Sequence, residues 1–331
     1  MKKILLATTA LVGFAGAAAA EVALSGYAEM GIVGGDAYAA TQFWTDVNVK
    51  FTMTGTTDGG LEFGAVVALD DINRDVLVAV PGALPTDPVT YVLDRNGSAG
   101  GDATKVQNDV SVFISGTFGK ITMGDTDGGF DWAMSELSTL TSIADDHTSH
   151  AGFSGNGGLD GLLDGQVMRY EYSFGDFAAA VSAEVDDAGV LDPILGLGVK
   201  WSGDMGGTGI ALGLGYQSGN DLSIVGVSAI ATMASGFRAG VNFSQFSNDL
   251  APLNDTDHAG IMLGYTTGAL SVEANYGQYD VAAVGADSEG FGLVANYDLG
   301  GGAKVMAGYG NSSFEVGPDV DSFSIGLGLS F

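Results

Sequence analysis

The sequence has no cysteine, 6 prolines and 11 Lys plus Arg among 331 residues. Without cysteine there is no disulfide scaffold, no thiolate metal centre and no cysteine nucleophile. With so few bases against 40 Asp plus Glu, the net charge is -29, which repels phosphate and argues against nucleic acid as a partner. Low proline beside 54 glycines argues against a collagen repeat, and a charged fraction of only 15% argues against an acidic disordered tail. After the first twenty residues no run of 18 apolar residues occurs, so no helix is expected to cross a membrane.

What is present begins with a leader. Lys2 and Lys3 precede an apolar stretch from Ile4 to Gly16, and Ala18, Ala19 and Ala20 supply the small residues a signal peptidase accepts. Residues 1–20 therefore read as a signal peptide that is removed, and residues 21–331 as one domain. Export without cysteine fits a bacterial envelope better than a small secreted disulfide domain.

The rest of the chain repeats one pattern. Phe323, Ile325, Leu327 and Leu329 alternate with Ser324, Gly326, Gly328 and Ser330, and Val47, Val49, Phe51 and Met53 alternate with Asn48, Lys50, Thr52 and Thr54. Period two is the signature of strands with two unlike faces. Sixteen such segments can be counted, from 22–34 to 321–331. Every second connection is a tight turn, such as Thr56 to Gly59, Phe174 to Phe177 and Thr266 to Ala269. The others are mostly longer and polar, and two, 72–106 and 126–165, are very long. Short and long connections in alternation describe antiparallel hairpins with two unlike ends, as in transmembrane barrels. A soluble sandwich has no reason to sort its loops this way.

The faces agree. One is apolar and carries Phe63, Tyr172, Phe174, Phe177, Trp201, Phe237, Tyr265, Tyr297 and Phe331 close to the tight turns. Rings at a shared height form a girdle at the headgroups. The other face is mostly Gly, Ser, Ala and Asn with scattered charge. An open sheet edge is not tolerated in lipid, so the sheet must close, and sixteen strands enclose an aqueous lumen. The predicted fold is an all-β, sixteen-stranded antiparallel transmembrane barrel with termini at the short-turn end.

Several stretches also resemble a known family: Glu21 to Gly26; Phe51 to Asp58 with Gly59 to Ala65; Val112 to Asp125, with Ser115-Gly116-Thr117-Phe118-Gly119 at its centre; Tyr297 to Ala303; and the terminal Phe331. The chain resembles the sixteen-stranded general porins of the Gram-negative outer membrane, alphaproteobacterial branch. The resemblance implies an outer-membrane location, contact with lipid and lipopolysaccharide, a homotrimer, and a third loop, here 126–165, folded inward to narrow the pore. It also implies a second loop, 72–106, reaching toward a neighbour, stiffened by Pro81, Pro85 and Pro88. Family porins usually face the acidic loop with basic residues on the first two strands. Here those inward positions read Ala23, Tyr27, Glu29, Asp46 and Asn48, with Lys50 the one base.

The function expected is passive diffusion of small hydrophilic solutes and ions through a water-filled channel, with no catalytic residue. The alternative is a substrate-selective channel of the same architecture; a barrel enzyme lacks an organised Ser/His or Asp/His set on the wall. The wall is close to balanced: inward bases include Lys50, Arg169, Lys200, Arg238 and Lys304, and inward acids include Glu29 and Asp46. The third loop decides the sign. Asp125, Asp127, Asp131, Glu136, Asp145 and Asp146 are its candidate constriction acids, with Asp160 and Asp164 further on and no Lys or Arg between Ile121 and Met168. A cation preference follows. No cofactor is needed. Asp125, Asp127 and Glu136 occupy positions 1, 3 and 12 of a calcium-loop spacing, but Gly129 and Phe130 break it at positions 5 and 6, leaving only a looser calcium site with Asp131. The stretch Asp145 to His150 has metal-ligand residue types and reads as a solvated loop.

Overall fold

The computed structural model describes residues 20–70, 76–80, 90–94, 107–163 and 165–331. The leader apart from Ala20, the three loop prolines and Asp164 lie outside these residues. The chain forms β1 (Glu21–Gly34), β2 (Gln42–Thr56), β3 (Glu62–Asp70), β4 (Val76–Val80), β5 (Thr90–Asp94), β6 (Gln107–Gly116) and β7 (Gly119–Gly124). The third long connection holds α1 (Gly129–Ala133) and a 3-10 turn at Ile143–Asp145. There follow β8 (Val167–Phe174), β9 (Phe177–Glu184), β10 (Ile194–Asp204), β11 (Thr208–Gly219), β12 (Leu222–Met233) and β13 (Phe237–Asn248). The last five are β14 (Thr256–Thr267), β15 (Leu270–Val281), β16 (Ser288–Gly300), β17 (Ala303–Phe314) and β18 (Val320–Ser330).

All but β4 and β5 close into one barrel, each strand beside its chain neighbour, with β3 next to β6 and β18 returning to β1. β4 and β5 pair separately within the second long connection. The closing seam is antiparallel, from Tyr27 opposite Ser330 to Gly34 opposite Phe323. It continues through Phe331, whose N–H donates to the Gly26 carbonyl at 2.8 Å. Closure leaves no barrel strand with an unpaired edge in lipid.

Local chemistry sets the turns. Phe174 pairs with Phe177 and Thr267 with Leu270, leaving two-residue turns that reverse at Gly175 (φ 64) and Gly268 (φ 58), a backbone region open to glycine without strain. On the opposite end Gly219 pairs with Leu222, and Asn220 and Asp221 supply the two positive φ values of a tight hairpin turn.

The molecule is inside-out. Apolar side chains on the outer face are open, among them Leu263 at 60% and Val241 at 51% exposure, and they meet lipid in a membrane. The aromatic turn-end residues stack in register: Phe174 on Phe177 at 5.8 Å and Phe237 beside Tyr265 at 4.5 Å between ring centroids. Buried apolar residues gather where the third connection meets the wall, including Val33, Ile143 and Met306 in one cluster and Phe130 within α1.

Candidate functional site: a lumen narrowed by the third connection

The connection after β7 turns into the barrel and follows its inner wall, α1 packing against β9, β10 and β11. Along the way the loop's backbone amides find wall acceptors. Gly129 N–H donates to Ser182 Oγ on β9 (2.7 Å) and Ser135 N–H to Ser228 Oγ on β12 (2.9 Å). Thr139 N–H and hydroxyl both donate to Glu273 on β15 (2.8 and 2.5 Å). Asn296 on β16 donates to the Thr141 carbonyl (3.0 Å), and Ala144 N–H to Glu29 on β1 (3.0 Å). The returning limb is held by Ser312 on β17, His258 on β14 and Gln217 on β11. It ends where Gly161, Leu163 and Gly165 N–H groups converge on Glu184. A buried loop backbone must have its polar groups paired, and here the wall pairs them.

Close approach is possible because the wall is glycine where the loop lies. A methyl added at Gly198 on β10 would stand 2.8 Å from Ala133 Cβ, at Gly226 on β12 2.9 Å from Met134 Cε, and at Gly260 on β14 2.7 Å from Leu137 Cδ1. With Gly215 on β11 against Phe130 and Gly240 on β13 against Leu137, these are inward positions on successive strands, so the missing side chains form a groove that holds the loop.

The candidate acids divide into two groups. Asp127, Asp131, Glu136 and Asp145 lie along one electrostatically connected edge. Burial, then the charges of Asp127, Asp160 and Glu136, push Asp131 up to about 7. Glu136 is raised by burial and Asp127. Asp145 is pushed up to about 6 by burial, then by Glu29, Asp146, Asp46 and Glu136, although its open position lets solvent screen part of that. Asp146 is placed differently from the sequence expectation: it is 1% exposed and accepts from the Ser142 hydroxyl against β17 and β18. Asp125 sits at the loop's start, its N–H on the Val110 carbonyl. Among the described residues no group of three or more His, Asp or Glu side chains is placed to hold a metal ion.

The wall residues divide similarly. Glu29 points inward but is 8% exposed, accepting from Trp44 Nε1 (2.8 Å), Tyr27 and Ala144 N–H. It anchors the loop, as Glu184 and Glu273 do. Arg169 is buried with Glu171 at 3.0 Å and Asp127 at 3.8 Å. Lys200 lies 4.2 Å from the Trp132 ring centroid, and Arg238 pairs with Glu273 at 3.6 Å. Lys50 and Lys304 are exposed, and Asp46 accepts from Asn48. The inward bases on β8, β10 and β13 are thus held against the wall or loop.

Sequence reasoning missed the buried histidines. His147 bridges Ser142 Oγ (2.8 Å) and Ser138 Oγ (2.9 Å), and burial lowers its pKa to about 4, so it is neutral. His150 meets Asn275 Oδ1 at 2.7 Å. All three histidines of the chain are buried at the loop–wall contact. Their shared surroundings, outnumbered by acids yet without basic neighbours, gave no sequence signal of burial.

Comparison with known proteins gives one consistent result. The family model described as Gram-negative porin matches residues 7–317. A porin of Rhodobacter capsulatus is 28% identical over 338 residues, spanning 94% of this chain and 99% of that protein. A porin structure refined at 1.8 Å superposes with a TM-score of 0.69 at 23% identity, covering 94% of this chain and 100% of the other. A triple mutant of the Rhodopseudomonas blastica porin gives 0.65 at 19% identity over 94% and 100% of the two chains. The two structural likenesses establish the fold.

Proposed function

The chain belongs to the Gram-negative porin family, and from that premise we propose that it is an outer-membrane channel for passive diffusion of small hydrophilic solutes and ions, with a preference for cations. The observation that carries the preference is the loop edge formed by Asp127, Asp131, Glu136 and Asp145, set against inward bases largely engaged with the wall or loop. A unit charge acts with about 1 kcal/mol at 4 Å even in bulk water, roughly a fivefold enrichment of counter-ions. The loop end of the barrel adds acids, among them Asp186, Asp255 and Asp287 in its connections, which raise cation concentration before the pore.

The protein works as a homotrimer whose outer wall meets lipid and lipopolysaccharide; the family resemblance supports this reading. It is exported by cleavage of residues 1–20. No covalent step and no metal enters the function. The substrate-selective alternative is favoured by one feature, a charged cavity beside the loop described below. Planar-bilayer recording tests the channel reading: ohmic single-channel steps are expected, and a membrane that stays silent with folded protein inserted would overturn it.

A further inference from the structure

Beside the constriction, between the loop and β16–β17, lies a cavity of about 350 Å³. Two of the candidate constriction acids, Glu136 and Asp145, and Lys304 from β17 all line it. Thr139 and Thr148 also line it, their hydroxyls donating to Glu273 and to the Asp145 carbonyl. His147, fixed between Ser138, Ser142 and the Leu140 carbonyl, closes one side.

Asn296 also lines the cavity. It is 5% exposed, and its Nδ2 is committed to the Thr141 carbonyl, while its Oδ1 has no donor. A buried acceptor without a donor costs free energy that a bound solute can return. The lining therefore offers acceptors for a cationic donor group and, apart from these, a single ammonium for an anionic group. No Phe, Tyr or Trp lines the cavity, so it has no ring face on which a sugar could stack.

We propose that this cavity is a binding subsite for small zwitterionic amino acids, with the solute's ammonium toward Glu136 and Asp145 and its carboxylate toward Lys304. The inference rests on the channel reading and adds a substrate class to it. Solutes of this class pause at the subsite, and their flux saturates, while neutral solutes of similar size pass in proportion to their concentration.

The test uses the full-length mature protein in liposomes, with flux of L-glutamine, sorbitol, N-acetyl-L-glutamine and L-glutamine methyl ester measured over a concentration series. Glutamine flux is expected to saturate and sorbitol flux to stay linear. Removing either charge from the solute should raise the half-saturating concentration about tenfold or more, the scale of one lost hydrogen bond to a charged group. Lys304→Gln should do the same for glutamine and change nothing for its methyl ester. Linear glutamine flux, or equal saturation by glutamine, its methyl ester and its N-acetyl derivative, would overturn the proposal, as would unchanged glutamine saturation in a folded K304Q channel. If K304Q does not fold, the solute series on the unmodified protein decides alone. Absence of sorbitol flux would instead overturn the channel reading, so the two failures are distinguishable.

Discussion

Asp131 and His147 lie in the same loop, and burial moves their protonation in opposite senses. Burial and neighbouring acids push the Asp131 carboxyl up to about 7, so it is charged above that pH and neutral below. Burial pushes the His147 imidazole down to about 4, so it stays neutral until the medium is strongly acidic. For the aspartate, a raised value means that docking is helped as pH falls through 7, because the proton removes a crowded charge. For the histidine, a lowered value means that docking weakens as pH falls from about 6.5 toward 4. Between these limits the loop is docked with its crowding relieved. Selectivity follows the aspartate: cation preference is expected to be full near pH 8 and to decline through pH 7 and 6 as Asp131, then Asp145, take up protons. Reversal potentials at pH 8, 7 and 5 in one salt gradient read this directly. A value that does not move between pH 8 and 5 would show that these carboxyls do not face the solute path.

At the scale of elements, the strands were legible in the pattern and the inward course of the third loop came through the family resemblance, but the contacts that dock it were not legible. Period two placed β1 and β18 within one residue of their observed limits, because each alternates a lipid-facing residue with a lumen-facing one along its length. Strands near the loop end run further than the pattern shows. β17 reaches Phe314 through Asn311, Ser312 and Ser313, since hydrogen-bonded pairing continues beyond the lipid while the apolar alternation stops. The short helix of the loop forms at Gly129–Ala133, where Gly129 is small enough to lie against Gly198. The inward glycines read in sequence only as an absence of side chains. Their alignment at one level, strand after strand, is the signal that marks the groove. Gly198→Val should therefore push α1 off the wall without opening the barrel, since added volume in a packed contact costs about 1–3 kcal/mol. The expected result is a shifted single-channel conductance with a normal heat-modifiable barrel on electrophoresis. Unchanged conductance would mean that the groove does not set the loop's position.

For the whole molecule, the leader and the missing cysteine already pointed to the envelope, and surrounding lipid explains why an exposed apolar outer face is tolerated. Assembly follows from other considerations. The β3–β6 connection carries a further hairpin, β4 with β5, and by sequence it holds Val76, Leu77, Val78, Val80, Val92 and Leu93, apolar residues that a neighbour would cover. If that cover is a neighbouring barrel, deletion of residues 77–92 should convert an unheated trimer band to monomer on native electrophoresis while conductance per barrel persists. A trimer that survives the deletion would place the contact elsewhere.

The balance of charge along the lumen is the property on which the functional reading depends most. On the proposed reading the acids of the loop edge face the solute path, whereas Arg169, Lys200 and Arg238 are engaged by Glu171, Trp132 and Glu273. The reversal potential of single channels under a KCl gradient near pH 8 measures this balance directly, first for the unmodified protein and then for Asp131→Asn with Glu136→Gln. The expected potential lies on the potassium side, shrinks in the double variant and fades in molar salt, where the screening length falls to about 3 Å. A potential on the chloride side, or a double variant indistinguishable from the unmodified channel, would contradict it.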